Sequence, residues 1–286
     1  NAYCEFCNFA DHKKYNRTPF ARFEDYKSNV EQISKLGVKF IDLTGGEPLL
    51  HPQIAEMAAF AKKVKMQTSI TTNGLLYPKF AEALAGNVNL LHFSLDSPDR
   101  DEHNKIRGIN CFDAVLNGLS LAKSLGEFPD ILFTVTNETF HKLPVMYELA
   151  NKYELVLIVN PVFSYFGNPG LSMEAIEFIE SFVDDKNDIY INDSYLKLRK
   201  NGGNDIEKPL CKAVSRVIVI SPYNEIILPC YHLNNEKIAI DRQIAEIRKS
   251  EKIKFFMKME GRFDFCKGCT INCYFEPSFA FPTNSY

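Results

Sequence analysis

Segments with the helical spacing of apolar residues alternate with short apolar runs through the first part of the chain. The helical pattern, with apolar side chains three and four positions apart, covers residues 24–36, 52–64, 79–86, 112–126 and 142–153. The runs between them are predicted to be strands at residues 38–43, 66–73, 88–96, 131–137 and 156–161. Strands that alternate with helices form right-handed β–α units around a parallel sheet, so the pattern predicts an α/β fold.

The pattern changes around residues 165–210, where NPGLS and NGGND are typical of turns. Two β-rich runs follow at residues 215–220 and 225–230, and SPYN joins them, which predicts a β-hairpin. A helix is predicted near residues 241–258. We therefore predict two domains, residues 1–205 and a small C-terminal module of residues 206–286.

Length and charge limit the classes of function. The chain has 286 residues, a formal net charge of −3 and no apolar run near the roughly 20 residues that span a bilayer. A charge this small gives no general attraction to nucleic acid or to an anionic membrane. We predict a cytoplasmic protein without a nucleic-acid or membrane partner.

Eight cysteines are the most informative feature of the composition. Disulfide scaffolds are short and rich in loops, whereas this chain is long and strongly periodic. Cys4 and Cys7, and again Cys266 and Cys269, form C-x-x-C pairs, whose spacing suits zinc, an iron–sulfur cluster or a redox dithiol equally well. Cys111 stands at a predicted helix start and is expected to be a buried small residue.

The loops that follow the predicted strands carry candidate chemistry. The first complete strand ends in LTGGEPLL, where Gly45 and Gly46 let the backbone approach a ligand closely and Glu47 supplies an acceptor. The next strands end in TTNG and SLDS, and HNKIRG lies in the loop after them. Each segment alone could be an ordinary turn or a helix cap.

Together and in this order, these segments resemble the radical S-adenosylmethionine (radical SAM) superfamily. Its signature, C-x-x-x-C-x-aromatic-C, follows the first strand, and GGEP follows the second. The stretch Cys4-Glu5-Phe6-Cys7 matches the last four positions of that signature. The first cysteine of the signature would stand directly before Asn1, so we expect an upstream segment that holds it and the first strand. The resemblance implies a partial (β/α)6 barrel with a mostly parallel sheet.

The resemblance also implies the cofactors. Three signature cysteines, here Cys4 and Cys7 with the upstream one, would hold a 4Fe–4S cluster whose open iron binds S-adenosylmethionine. Reductive cleavage then yields methionine and a 5′-deoxyadenosyl radical that takes a hydrogen atom from the substrate. By the same resemblance, the residues expected to contact S-adenosylmethionine are Phe6, Gly45, Gly46, Glu47, Ser94, Asp96, Arg107 and Asn137. For the last four, a cap or a surface ion pair is the alternative.

The C-terminal module resembles the cysteine-rich extension called SPASM, or its shortened form, twitch, in which a hairpin and a helix surround an auxiliary 4Fe–4S cluster. The residues that match its ligand set are Cys211, Cys230, Cys266 and Cys269. Cys273 is expected to be an extra or substituting ligand. A structural zinc site is the alternative for this module.

The function that this resemblance implies is that of an oxidoreductase or maturase. We expect a net oxidation or a bond-forming modification of a peptide or of a small alcohol or sugar-like molecule. An electron donor such as flavodoxin or ferredoxin would be the partner. The sequence identifies no catalytic acid or base. The other hypothesis is a scaffold protein that holds iron–sulfur or zinc without turnover.

Overall fold

The computed structural model of the chain describes residues 1–7, 19–163, 170–233 and 236–279. The described residues divide into two compact units. The first contains residues 1–7, 26–162 and 177–191, and the second contains residues 19–25, 163, 170–176, 192–233 and 236–279. The sequence analysis placed a cluster-binding module after residue 205, and that boundary stays a prediction.

A six-stranded parallel sheet forms the centre of the first unit. Its strands run in chain order, β1 (Phe40–Asp42), β2 (Gln67–Thr72), β3 (Leu90–Ser94), β4 (Asp130–Val135), β5 (Leu157–Pro161) and β6 (Ile189–Tyr190). Every strand pairs in parallel with the next one. The predicted α/β fold with a mostly parallel sheet is confirmed. Because parallel strands end at the same edge, the loops after them lie close together.

Helices flank these strands. In chain order through the described residues they are α1 (Phe23–Lys35), α2 (Ile54–Lys63), α3 (Tyr77–Leu84), α4 (Arg100–Arg107), α5 (Phe112–Ser124), α6 (Leu143–Lys152) and α7 (Met173–Val183). Five of them lie where the apolar spacing predicts helices, whereas α7 lies within residues 165–210, where the sequence pattern indicated only turns. The segment HNKIRG, all of which except its last residue belongs to α4, was expected to lie in a loop, and that expectation is wrong. Asp99 caps this helix by accepting a hydrogen bond from the Glu102 amide at 2.8 Å, and Gly108 ends it at φ +62°.

The two faces of the sheet differ in character. On one face the Phe93 ring packs against Tyr77, with ring centroids 4.9 Å apart, and against α5, where a Cβ on Gly118 would lie 2.6 Å from that ring. Since side chains alternate along a strand, neighbouring residues face the other way. That second face carries two polar pairs, Asp42 with Ser69 and His92 with Asp130, each joined by a 2.6 Å hydrogen bond.

The second unit contains a two-stranded sheet, in which β7 (Glu225–Leu228) pairs antiparallel with β8 (Glu236–Ala239). The other side of β7 meets the predicted hairpin partner at one antiparallel bridge, from Ile220 to Ile226, and the Ile227 amide donates to the Val219 carbonyl at 3.0 Å. The predicted hairpin is therefore present but short. The sequence did not predict β8, whose residues 236–239 read EKIA, two charged residues followed by two apolar ones.

The helices of the second unit are short. They are α8 (Asp193–Lys200), α9 (Ile244–Arg248), α10 (Glu251–Met259) and α11 (Asn272–Phe279). The single helix predicted near residues 241–258 is two helices, because Ser250 caps a new one by accepting a hydrogen bond from the Ile253 amide. Among the residues that the structure describes, no helix is long and apolar enough to cross a membrane.

Candidate functional site

The N-terminal cysteine loop lies along the end of α4. The backbone amides of Tyr3 and Glu5 donate to the carbonyl oxygens of Arg107 and Ile106, at 2.9 and 3.0 Å. A turn closes inside the loop, where the Cys7 amide donates to the Cys4 carbonyl at 3.0 Å. A Cβ on residue 108 would lie 2.7 Å from the Tyr3 carbonyl oxygen, so the loop can approach only because that residue is glycine.

The glycine-rich loop after β1 combines open backbone with a buried carboxylate. A Cβ on Gly45 or Gly46 would meet no heavy atom within 4 Å, so space adjoins both residues. The buried Glu47 carboxylate accepts hydrogen bonds from the Leu49 amide, the Thr72 hydroxyl and the Asn73 amide, at 2.9–3.0 Å. These bonds fasten the loop to the end of β2. Burial raises the pKa of Glu47, and the three hydrogen bonds oppose that shift.

Asp96 and Arg107 form a buried ion pair beside Cys4. The Arg107 Nε atom faces the Asp96 carboxylate, whose other oxygen accepts the Thr134 amide at 3.0 Å. Arg107 Nη1 lies 3.7 Å from Cys4 Sγ, and its guanidinium carbon lies 5.4 Å from the Phe6 ring centroid. The buried Nη2 atom has no hydrogen-bond partner among the described residues. Four of the predicted site residues are thus brought together.

The charge of Arg107 bears directly on the Cys4 thiol. Burial raises the pKa of Cys4, whereas the nearby guanidinium lowers it. Asp96 in turn raises the pKa of Arg107, so the guanidinium stays charged although it is buried.

Ser94 and Asn137, which were also predicted to contact S-adenosylmethionine, lie at the carboxyl edge of the parallel sheet. Ser94 is the last residue of β3 and is buried, opposite Leu132 of β4. Asn137 is half-buried, two residues beyond the end of β4.

A buried histidine that the sequence did not single out supports Asp96. His103 Nδ1 accepts the Asp96 amide at 3.1 Å, and His103 Nε2 lies 3.3 Å from Cys111 Sγ. Because Nδ1 accepts, the ring proton is on Nε2 and points toward the sulfur. Cys111 is buried, as predicted, and burial raises its pKa to about 11. The four-residue spacing of His103 and Arg107 was the available signal, since it puts both on one helical face.

His103 is expected to make the free energy of unfolding depend on pH. Burial lowers its pKa to about 4 from an ordinary 6.5, so between these values the unfolded chain binds more protons. Stability therefore rises with pH across this window and is lost as the pH falls. The full shift corresponds to about 3 kcal/mol.

Denaturant titrations at several pH values from 4 to 7.5 check this expectation. His103→Gln should show a smaller pH dependence than the unaltered protein, whereas His141→Gln, at an exposed position, should not. An unchanged pH dependence in His103→Gln would contradict the assignment.

Four cysteines of the second unit line a single cavity. They are Cys211, Cys230, Cys266 and Cys269. Burial raises the pKa of all four thiols, to about 11 for Cys230, Cys266 and Cys269 and beyond the usual range for Cys211. As thiolates, these groups would need positive charge in the cavity to offset the cost of burial.

Asn204 holds the later C-x-x-C loop in place. Its amide donates to the Cys269 carbonyl at 3.0 Å, and its side-chain nitrogen donates to the carbonyls of Gly261 and Cys266 at 2.7 and 3.2 Å. The Gly268 amide donates back to the Asn204 carbonyl at 2.9 Å. Gly203 makes this approach possible, because a Cβ there would lie 2.3 Å from the Gly268 carbonyl oxygen. Asn204, the last residue of an NGGN segment that was predicted only as a turn, is therefore part of the cavity wall.

Cys273 lies apart from the other four. It is exposed near the start of α11 and is not among the residues that line the cavity. In the described ranges, no three His, Cys, Asp or Glu side chains stand at the spacing required by one metal ion.

Comparison with known proteins places the first half of the chain in a family. The family model described as the radical SAM superfamily matches residues 1–150. The probable GTP 3′,8-cyclase of Pyrococcus horikoshii is 32% identical over 126 residues, which are 44% of this chain and 40% of that protein. The AdoMet-dependent heme synthase of Methanosarcina barkeri is 29% identical over 133 residues, covering 45% and 38%.

A longer alignment covers most of both chains. The probable GTP 3′,8-cyclase of Methanocaldococcus jannaschii is 24% identical over 274 residues, 89% of this chain and 88% of that protein. For the two relatives above, the aligned part is about 40% of their length or slightly less.

Solved structures share the fold. Native anSMEcpe with bound AdoMet superposes with a TM-score of 0.67 at 19% identity, over 90% of this chain and 80% of that one. Streptococcus suis SuiB bound to S-adenosylmethionine gives a TM-score of 0.70 at 16% identity, over 88% and 64%. At this identity the likeness establishes the fold alone.

Proposed function

The chain belongs to the radical SAM superfamily, and on that premise we propose that it cleaves S-adenosylmethionine reductively and oxidises a substrate with the help of a second iron–sulfur cluster. The observation that carries the first part is the Cys4–Cys7 loop, which lies beside a buried arginine at the carboxyl edge of a parallel sheet. The observation that carries the second part is the cavity lined by four cysteines.

The first site fits a cluster that binds S-adenosylmethionine. Cys4 and Cys7 would supply two of the thiolates that hold the cluster, both from one turn. The buried Arg107 Nη2 atom has no hydrogen-bond partner in the part of the chain that the structure describes, and open space adjoins Gly45 and Gly46. Both observations support a charged ligand here. The bound cluster would supply the electron that splits the cofactor into methionine and a 5′-deoxyadenosyl radical.

The chain's own groups then bind and orient the cofactor. Three acceptor positions of the Glu47 carboxylate bind Leu49 in the loop and Thr72 and Asn73 at the end of β2, which leaves one for the cofactor's ammonium group. Arg107 Nη2 would donate to the carboxylate, and Phe6 would lie near the adenine. The backbone of Gly45 and Gly46 completes the cradle.

The remaining strand-end residues divide between two roles. Ser94 and Asn137 are proposed contacts to the ribose or the carboxylate. Both Asp96 oxygens already have protein partners, Thr134 and Arg107, so Asp96 acts by positioning the arginine.

The second site fits an auxiliary 4Fe–4S cluster held by Cys211, Cys230, Cys266 and Cys269. Four thiolates are the usual complement of such a cluster, and they leave no iron open to substrate. Zinc held by the same four thiolates, at about 2.3 Å from each sulfur, is the alternative for this site. A closed cluster supports electron transfer, and Cys273 then has no ligand role.

The substrate that we propose is a peptide or a small alcohol or sugar-like molecule. Among the solved structures with this fold, anSMEcpe has been solved with a Cp18Cys peptide, and SuiB with the precursor peptide SuiA. A reductant such as flavodoxin or ferredoxin would supply the electron for each cleavage. The reaction would be a net two-electron oxidation that consumes the cofactor.

The test is cofactor cleavage by the natural full-length protein. After anaerobic reconstitution with iron and sulfide, incubation with dithionite and S-adenosylmethionine should yield 5′-deoxyadenosine and methionine in equal amounts, measured by liquid chromatography. Intact clusters without any cleavage would instead support the alternative, a scaffold that holds iron without turnover.

A further inference from the structure

The three nitrogen atoms of the Arg107 guanidinium face three different surroundings. Its Nε atom pairs with Asp96, Nη1 lies 3.7 Å from Cys4 Sγ, and the buried Nη2 has no partner among the described residues. We infer that Arg107 sets the reduction potential of the cluster held by Cys4, through a charge-assisted hydrogen bond from Nη1 to the thiolate. This inference rests on the proposed function of the N-terminal loop.

The position of the guanidinium is fixed from several sides. Asp96 pairs with its Nε atom, and Asp96 is held in turn by the amide of Thr134 and by the ring of His103. The carbonyls of Ile106 and Arg107 bind the amides on both sides of Cys4, so side chain and backbone approach the same loop. Because the planar guanidinium is already held in place, its Nη1 atom can donate to the Cys4 sulfur with little loss of conformational entropy.

The direction of the effect follows from the charge. Reduction adds one electron to the cluster, and a hydrogen bond or a positive charge at a ligand sulfur stabilises the more negative state. The arginine remains charged at any physiological pH, so its influence is permanent. Asp96 offsets part of the positive charge but does not contact the sulfur. Arg107 therefore raises the potential and makes the cluster easier to reduce.

This role is separable from cofactor binding because it uses a different nitrogen. The Nη1 atom faces the Cys4 sulfur, whereas the cofactor carboxylate is proposed to meet Nη2. A measurement without S-adenosylmethionine therefore reports the sulfur contact alone.

The experiment is a redox titration of the reconstituted natural full-length protein, followed by electron paramagnetic resonance. The relevant signal is identified in a separate sample by its change on adding S-adenosylmethionine. Arg107→Gln should favour the oxidised cluster about tenfold, which lowers the midpoint potential by about 59 mV for one electron. Arg107→Lys should lower it less, because it keeps the charge and loses the planar fork.

The matched control lies on the same helix. Arg100 forms an exposed pair with Asp113 at 2.8 Å, and Arg100→Gln should leave the potential unchanged. If Arg107→Gln does not retain its cluster, the midpoint potential is measured in Arg107→Lys instead. An unaltered midpoint in a cluster-bearing Arg107 variant would overturn the inference and leave the proposed function standing. The absence of any reducible cluster from the unaltered protein would overturn the proposed function itself.

Discussion

Replacement of both Cys4 and Cys7 by alanine is expected to abolish formation of 5′-deoxyadenosine. The two thiols come from one turn and would both be ligands of the cluster. Without these two thiolates, the irons of this site should not be retained. We therefore expect cleavage to fall below detection, measured by chromatography with dithionite as the reductant.

The control for this change is Glu5→Ala in the same loop. Glu5 is exposed, and its contact with α4 runs through the backbone amide, which the substitution keeps. This variant should cleave the cofactor as the unaltered protein does. Cleavage retained by the double cysteine variant would refute the assignment of the loop.

Substitution of Cys211 or Cys269 by alanine is expected to remove the second cluster and leave the first. Each variant should lose about four of eight irons per chain. Cleavage of S-adenosylmethionine at the first cluster should continue, but it should become uncoupled from product formation, because the second electron of the oxidation has no acceptor. Quantifying 5′-deoxyadenosine together with product, once a substrate is found, separates the two effects.

Cys273→Ala provides the matched control for the second cluster. Cys273 is exposed and does not line the cavity, so its loss should change neither the iron content nor the coupling. Product that still forms in proportion to 5′-deoxyadenosine in Cys211→Ala would show that the second site is only structural. Loss of iron in Cys273→Ala would make that residue a ligand after all.

Most of the parallel sheet could be predicted because its strands and helices each bury one continuous apolar surface. Such surfaces leave a periodic trace in the sequence. Helix α4 left a weak trace, since its sequence RDEHNKIR is mostly charged and Asp99 and Gly108 define its ends. Strand β8 was missed because EKIA is short, with two charged residues among four. Helix caps and short strands depend on single contacts, which leave no repeated spacing of apolar residues in the sequence.

The candidate site was only partly accessible from the sequence. The cysteine spacing and GGEP pointed to residues that the structure places at strand ends, because covalent spacing limits what a loop can bind. The link from Cys111 through His103 to Asp96 depends on tertiary packing. The spacing of His103 and Arg107 indicates that both lie on one helical face, but it does not show which groups they contact. Tertiary packing likewise determines the contacts of Glu47, whose carboxylate meets Thr72 and Asn73 from another strand.

The most direct test of the proposed two-cluster enzyme is the iron and sulfide content of the natural full-length protein after anaerobic reconstitution, read together with its Mössbauer spectrum. We predict about eight irons and eight sulfides per chain, all in 4Fe–4S clusters. A stable preparation with about four irons and one bound zinc would contradict the auxiliary cluster at the four cysteines of the second unit.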